Sequence, residues 1–158
     1  MPVRVFIHGL ESSSQGNKGV FFRERYPDMI IEDFEGPLEQ RMDKLNDILK
    51  DKEDLIIVGS SFGGLMAALY AFRNRAKVRK LILLAPALDL EDFDPCLSDR
   101  LDIPVVIFHG KNDDVVPVAE VKNRAARVFS NLEYHLVDDD HPLRKTFTTY
   151  DWEELLRP

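Results

Sequence analysis

Leu55-Ile56-Ile57-Val58-Gly59-Ser60-Ser61-Phe62-Gly63 is the stretch from which the rest of this sequence can be interpreted. Its four leading aliphatic residues form an unbroken apolar run, as expected of a strand covered on both faces. From Phe62 to Phe72 the chain is apolar almost all round, which predicts a buried helix. Gly-x-Ser-x-Gly between a strand and a helix makes a nucleophile elbow, a turn so tight that Ser61 projects its hydroxyl alone. Gly59 and Gly63 are required sterically, because side chains there would collide where the strand and helix backbones converge. The helix would begin beneath Ser61, and its free N–H groups and positive dipole end favour negative charge there. An ordinary Gly/Ser turn is the bland alternative, and the residues elsewhere decide between the two.

Outward from the elbow, short β-rich runs occur at Val3 to Ile7, Met29 to Ile31, Leu81 to Leu84, Val105 to Phe108 and Leu132 to Val137. Helical spacing lies between them. Leu38, Met42, Leu45 and Leu49 form one apolar stripe, and Val118, Val121, Ala125 and Val128 form another behind the helix-opening Pro117. Asn17 to Tyr26 is a shorter helix candidate, and Asp151 is placed to cap a last helix starting at Trp152. Strands alternating with helices predict an α/β fold, a mostly parallel sheet of about six strands with helices on both faces. Ligands in such sheets bind beyond the C-terminal ends of the strands, so functional residues should follow strands directly.

The 158 residues are read as a single domain spanning 1–158, with no linker or repeat. Asp plus Glu number 28 against 21 Lys plus Arg, a formal charge of -7, which argues against a nucleic-acid partner. The first residues enter a strand without the apolar core of a signal peptide, and no apolar stretch approaches the ~20 residues of a membrane span. Cys96 is the only cysteine, which excludes an internal disulfide and fits a cytoplasmic location; it is read as a structural thiol. Between two strands, Pro86 to Asp102 is the one long irregular stretch, and its Leu88, Leu90, Phe93 and Leu97 are expected to shade a pocket at the strand ends.

A serine hydroxyl needs a base. Of His8, His109, His135 and His141, only His141 lies in a loop beyond the last strand, where an imidazole can reach across to Ser61. His135 belongs to the final strand, and His8 and His109 precede glycines at strand ends, suited to orienting local backbone. An orienting carboxylate is expected in the loop after the fifth run, where Asp113 and Asp114 compete. Asp138 to Asp140 are read as an exposed acidic loop. The backbone N–H of Phe62, after the nucleophile, and that of Leu10, in the loop after the first strand, are the candidates for an oxyanion hole. No Walker-type or dinucleotide-binding glycine loop is present, and clustered zinc ligands are absent, so no cofactor and no metal are expected.

Taken together these motifs resemble the α/β-hydrolase superfamily over essentially the whole chain. His8-Gly9 is similar to its oxyanion loop, Gly59 to Gly63 to its elbow, and Asp140-His141 to the pair that carries its base. His109-Gly110-x-x-Asp113-x-x-Val116-Pro117 matches the family's acid loop, and that match selects Asp113 over Asp114. The order Ser, Asp, His is also the family's. His8-Gly9-Leu10-Glu11-Ser12-Ser13 resembles the start of the small, capless YqiA-type esterases. The resemblance implies a minimal α/β-hydrolase fold without a cap domain, beginning at what would be the third strand of a full-size member. Pro142 departs from the pattern and predicts an extended His141 with the following helix delayed.

The implied activity is serine hydrolysis of carboxylic esters through a Ser61-His141-Asp113 triad and an acyl-enzyme. Thioester or amide hydrolysis by the same triad is the runner-up, and a non-catalytic binding module the rival from another class. The partner is then a small-molecule ester or thioester. The acidic loop beside His141 favours a neutral substrate, and an uncovered sheet edge is compatible with a homo-oligomer.

Overall fold

In the computed structural model, which describes residues 1–158, six strands form one sheet: β1 (Val3–Ile7), β2 (Ile30–Ile31), β3 (Leu55–Ser60), β4 (Val78–Leu84), β5 (Val105–Gly110) and β6 (Leu132–Val137). Their order is β2-β1-β3-β4-β5-β6 and every pairing is parallel. Four α-helices lie between strands, α1 (Asn17–Arg25), α2 (Leu38–Leu49), α3 (Phe62–Arg73) and α4 (Val118–Val128), and a short α5 (Trp152–Leu155) follows β6. This is the α/β-hydrolase architecture, and no cap interrupts it.

The continuous apolar strand runs are explained by two cores. Val5, Ile7, Leu55, Ile57, Leu81, Leu83 and Ile107 point to one face and pack with α2, α3 and α4. Phe6, Ile56, Val58, Ile82, Leu84 and Phe108 point to the other and pack with Phe22 of α1 and with Phe147, Trp152 and Leu156. Because side chains alternate along a strand, a strand buried on both sides has no polar face to show.

Strand ends differ from the apolar runs for a simple reason. β3 extends to Ser60 and β5 to Gly110 because their main chains continue to pair, Ser60 with Leu84 and Gly110 with Val137. Ladder bonds need no apolar side chain. Met29 packs into the second core, but pairing of β2 starts only at Ile30. The chain leaves β1 towards β2 on one side and returns through α2 to β3 on the other. The crevice beyond the C-terminal ends of β1 and β3 is therefore the topological switch point, the usual ligand position in open parallel sheets.

Pro86 to Asp102 behaves differently from its reading. Residues Glu91–Ser98 coil into a 3₁₀ segment, and Leu88 and Phe93 are fully buried in the core beside α3 and α4. An apolar loop lies down on the nearest apolar surface, and here that surface belongs to the core.

Candidate active site

Ser61 has φ 56° and ψ −116°, a left-handed conformation that costs a non-glycine residue roughly 1–3 kcal/mol. Its surroundings hold it there. Its N–H donates to Leu84 O at 2.9 Å, and its carbonyl accepts from Gly64 N at 2.9 Å and Ala87 N at 3.0 Å. A Cβ at Gly63 would overlap the carbonyl oxygens of Ile7 and His8, and one at Gly59 would overlap the carbonyl of Gly63. These are the close approaches expected at the elbow.

His141 comes from the loop after β6 and reaches the serine. Its Nε2 lies 3.0 Å from Ser61 Oγ, and its Nδ1 lies 2.7 Å from Asp113 Oδ2. A carboxylate only accepts, so Nδ1 carries the proton and Nε2 is free to accept from the hydroxyl. The Asp113 carboxylate is buried, and each of its oxygens accepts twice. Oδ1 takes the N–H groups of Val115 and Val116, both at 2.8 Å, and Oδ2 takes His141 and His109 Nε2, the latter at 3.1 Å. Burial pushes the Asp113 pKa up, but the Val116, His141 and Val115 donors together outweigh it and hold the acid below its ordinary value. Asp114, the sequence competitor, is exposed and makes none of these contacts.

The sequence suits His109 to orienting local backbone, yet its side-chain partner is the Asp113 carboxylate. The ring is fully buried, and burial lowers its pKa despite the opposing charge of Asp113. The signal lay in the four-residue spacing of His109 and Asp113 across a strand end. His8 does orient backbone: Nε2 accepts from Phe34 N at 2.9 Å, so Nδ1–H donates to Gly9 O at 2.7 Å. That bond fixes the loop carrying Leu10. A Cβ at Gly9 would lie 3.3 Å from Ser61 Cβ, so this loop lies directly against the elbow. Neither the Leu10 nor the Phe62 N–H has a backbone partner. His135 is remote from these groups in function, pairing with Glu133 at 2.6 Å on the exposed β6 edge.

The acidic loop is not uniformly exposed, contrary to its reading. Asp139 is buried and accepts from the N–H groups of Asp140, Lys145 and Thr146 and from the Thr146 hydroxyl. Its carbonyl accepts from Asn112 N at 3.0 Å, tying the His141 loop to the Asp113 loop. Asp138 is exposed and neutralised by Lys111 and Lys145. The helix after Pro142 is delayed as predicted, while His141 itself lies in a turn closed by Leu143 N donating to Asp140 O at 3.2 Å. After His141 the chain makes turns and one 3₁₀ turn at Phe147–Thr149, and no α-helix forms before Trp152.

A cavity of about 1070 Å³ opens over Ser61 and His141. Its apolar wall is Leu10, Val20, Phe21, Val115 and Phe147, with Phe6 at the base. None of Leu88, Leu90, Phe93 or Leu97 lines it; α1 takes the place expected of that loop. The charged groups on its wall are Lys18, Arg144, Glu11 and Glu24, so the acidic loop does not set its polarity. No group of three or more His, Cys, Asp or Glu side chains is placed to hold a metal ion, and no helix is long and apolar enough to cross a membrane.

Comparison with known proteins agrees with this architecture. A model described as the alpha/beta hydrolase family matches residues 38–150, which include Ser61, Asp113 and His141. Among solved structures, mouse alpha/beta hydrolase domain-containing protein 10 superposes with a TM-score of 0.80 at 20% identity, over 98% of this chain and 90% of that one. Est1E from Butyrivibrio proteoclasticus gives 0.81 at 18% identity, over 98% and 85%. An alpha-beta serine hydrolase homologue from Coxiella burnetii gives 0.79 at 20% identity, over 98% and 83%. At such identities these likenesses concern the fold.

Proposed function

The chain belongs to the alpha/beta hydrolase family, and on that footing we propose that it is a serine hydrolase cleaving carboxylic esters through an acyl-enzyme. The observation that carries this reading is the unbroken relay from Ser61 Oγ through the His141 ring to Asp113, with contacts of 3.0 and 2.7 Å.

In the first half-reaction His141 Nε2 accepts the Ser61 proton as Oγ attacks the ester carbonyl carbon. The tetrahedral oxyanion takes the N–H groups of Leu10 and Phe62, each such donor being worth ~10²–10³ in rate. The imidazolium, stabilised by buried Asp113, returns its proton to the alcohol oxygen as the carbon–oxygen bond breaks. Water then approaches the acyl-enzyme, gives a proton to His141 Nε2 and attacks the carbonyl. Collapse of the second tetrahedral species releases the acid and restores the Ser61 hydroxyl. The apolar wall of Val20, Phe21 and Phe147 suits the hydrocarbon part of the substrate.

Steady-state hydrolysis of 4-nitrophenyl esters of graded acyl length tests this reading. It expects turnover that saturates with ester concentration and disappears in Ser61→Ala. Background rates with every ester would refute it.

A further inference from the structure

Lys18 and Arg144 are the two cations on the wall of the cavity that holds Ser61 and His141. Lys18 lies in the first turn of α1, half-buried, and its ammonium donates to Pro142 O at 2.6 Å. Pro142 follows His141 directly, so this bond anchors a positive charge one residue from the base. The ammonium also sits 5.3 Å from the centre of the Phe147 ring. Arg144 comes from the same loop and lines the same cavity; burial and then the Arg144 charge lower the Lys18 pKa, against the opposing charges of Asp139 and Asp140.

Neither cation makes an ion pair. Scarcity of acids is not the reason, since the chain carries 28 of them against 21 Lys and Arg. Nearby Lys111 and Lys145 are both paired, with Asp138. Asp139 and Asp140 both act on Lys18 by their charge without pairing with it: Asp139 is committed to the Lys145 and Thr146 N–H groups and the Thr146 hydroxyl, and Asp140 is exposed. Glu11 and Glu24 line the cavity as exposed groups, and Glu24 lies six residues, about 9 Å, along α1 from Lys18. Lys18 is half-buried and Arg144 exposed on the same cavity wall, and an anion placed between two like charges offsets their repulsion.

We propose that Lys18 and Arg144 form an anion-recognition site beside Ser61, and that the substrate is an ester or thioester bearing a carboxylate or phosphate close to its scissile carbonyl. This proposal rests on the serine-hydrolase reading above. Arginine and lysine both recognise such oxyanions through charge-assisted hydrogen bonds. The anion can reside on the acyl group or on the leaving group, and the two sources differ in where a test substrate carries its charge.

The test measures kcat/KM for two matched pairs. One pair is the 4-nitrophenyl monoester of glutarate against 4-nitrophenyl hexanoate, with the charge on the acyl side. The other is the butyryl ester of 4-hydroxyphenyl phosphate against that of 4-methoxyphenol, with the charge on the leaving group. The wild type should favour the anionic member of at least one pair by about 10-fold, and that pair identifies the source. Lys18→Gln and the exposed-site variant Arg144→Gln should each bring the ratio of anionic to neutral ester kcat/KM most of the way back to one. Added salt should weaken the preference in the same direction. Equal or inverted rates in both pairs, or an equal loss on charged and neutral esters in the variants, overturns the proposal. Fluorophosphonate labelling of Ser61 in the same preparations separates the two readings. Labelling without charge preference removes only the anion site, whereas absence of labelling removes the serine-hydrolase assignment beneath it.

Discussion

His109 Nε2 and His141 Nδ1 converge on one oxygen of Asp113, Oδ2, at 3.1 and 2.7 Å. One imidazole faces the serine and the other is sealed in the core, so the carboxylate is fixed from behind by a ring that never meets substrate. On the proposed function, His109 is a positioning residue for the acid. With two backbone donors on Oδ1, Asp113 has no freedom to swing away from His141.

The first prediction separates the adjacent acids. Asp113→Asn leaves His141 without a carboxylate and should lower kcat by about 10³–10⁴-fold. Asp114→Asn, at an exposed position, should leave kcat/KM within about twofold. Ester kinetics of the two variants side by side check this, and a crippled Asp114→Asn would make Asp114 the acid and contradict the assignment of Asp113.

His109 predicts a pH dependence of stability. Its folded pKa lies below the ordinary 6.5, because burial disfavours the charged ring. Its contribution is therefore complete above about 6.5 and declines as pH falls from there towards the folded value, where the unfolded chain binds the extra proton. Urea midpoints measured from about pH 7.5 down to 5 should fall in the wild type. In His109→Gln, which keeps a donor but cannot titrate, the slope should flatten. An unchanged slope would mean that another group titrates.

Gly110 tests the contact between the acid and base loops. A Cβ there would lie 2.5 Å from Asp139 O and 2.6 Å from Asp140 O, both backbone atoms. Gly110→Ala should push the His141 loop outwards, and a displacement near 1 Å is expected to cost about 10²-fold in kcat. Circular dichroism should show the sheet retained. A fully active Gly110→Ala would show that the loops tolerate separation.

Cys96 is buried, and burial pushes its thiol up to about 11. Ellman's reagent at pH 8 should therefore leave the native protein almost unmodified and titrate one thiol after denaturation. Rapid native reaction would contradict the structural reading of this residue.

The parts of the site visible in the sequence are those set by local geometry. Gly59 and Gly63 advertise the elbow because backbones converge there, and position beyond the last strand distinguishes His141. Asp113 needed the acid-loop pattern, since a single sequence says little about which of two neighbouring carboxylates turns inwards. Asp139 was hidden for a different reason. Its burial depends on residues 145 and 146 folding back to donate to it, and Asp138 to Asp140 otherwise read as solvated charge. The sequence points to Pro86–Asp102 as the cavity wall because apolar loops and apolar pocket walls have the same composition. Packing decided it: Leu88 and Phe93 joined the α3–α4 core, and α1 covered the strand ends.

The central claim is that Ser61 is the acylated nucleophile, and covalent capture tests it most directly. Native protein treated with a fluorophosphonate, digested and analysed by mass spectrometry should carry a single adduct on the peptide containing Ser61, with none in Ser61→Ala. Absence of an adduct in the folded wild type, or an adduct that persists in Ser61→Ala, would contradict the account.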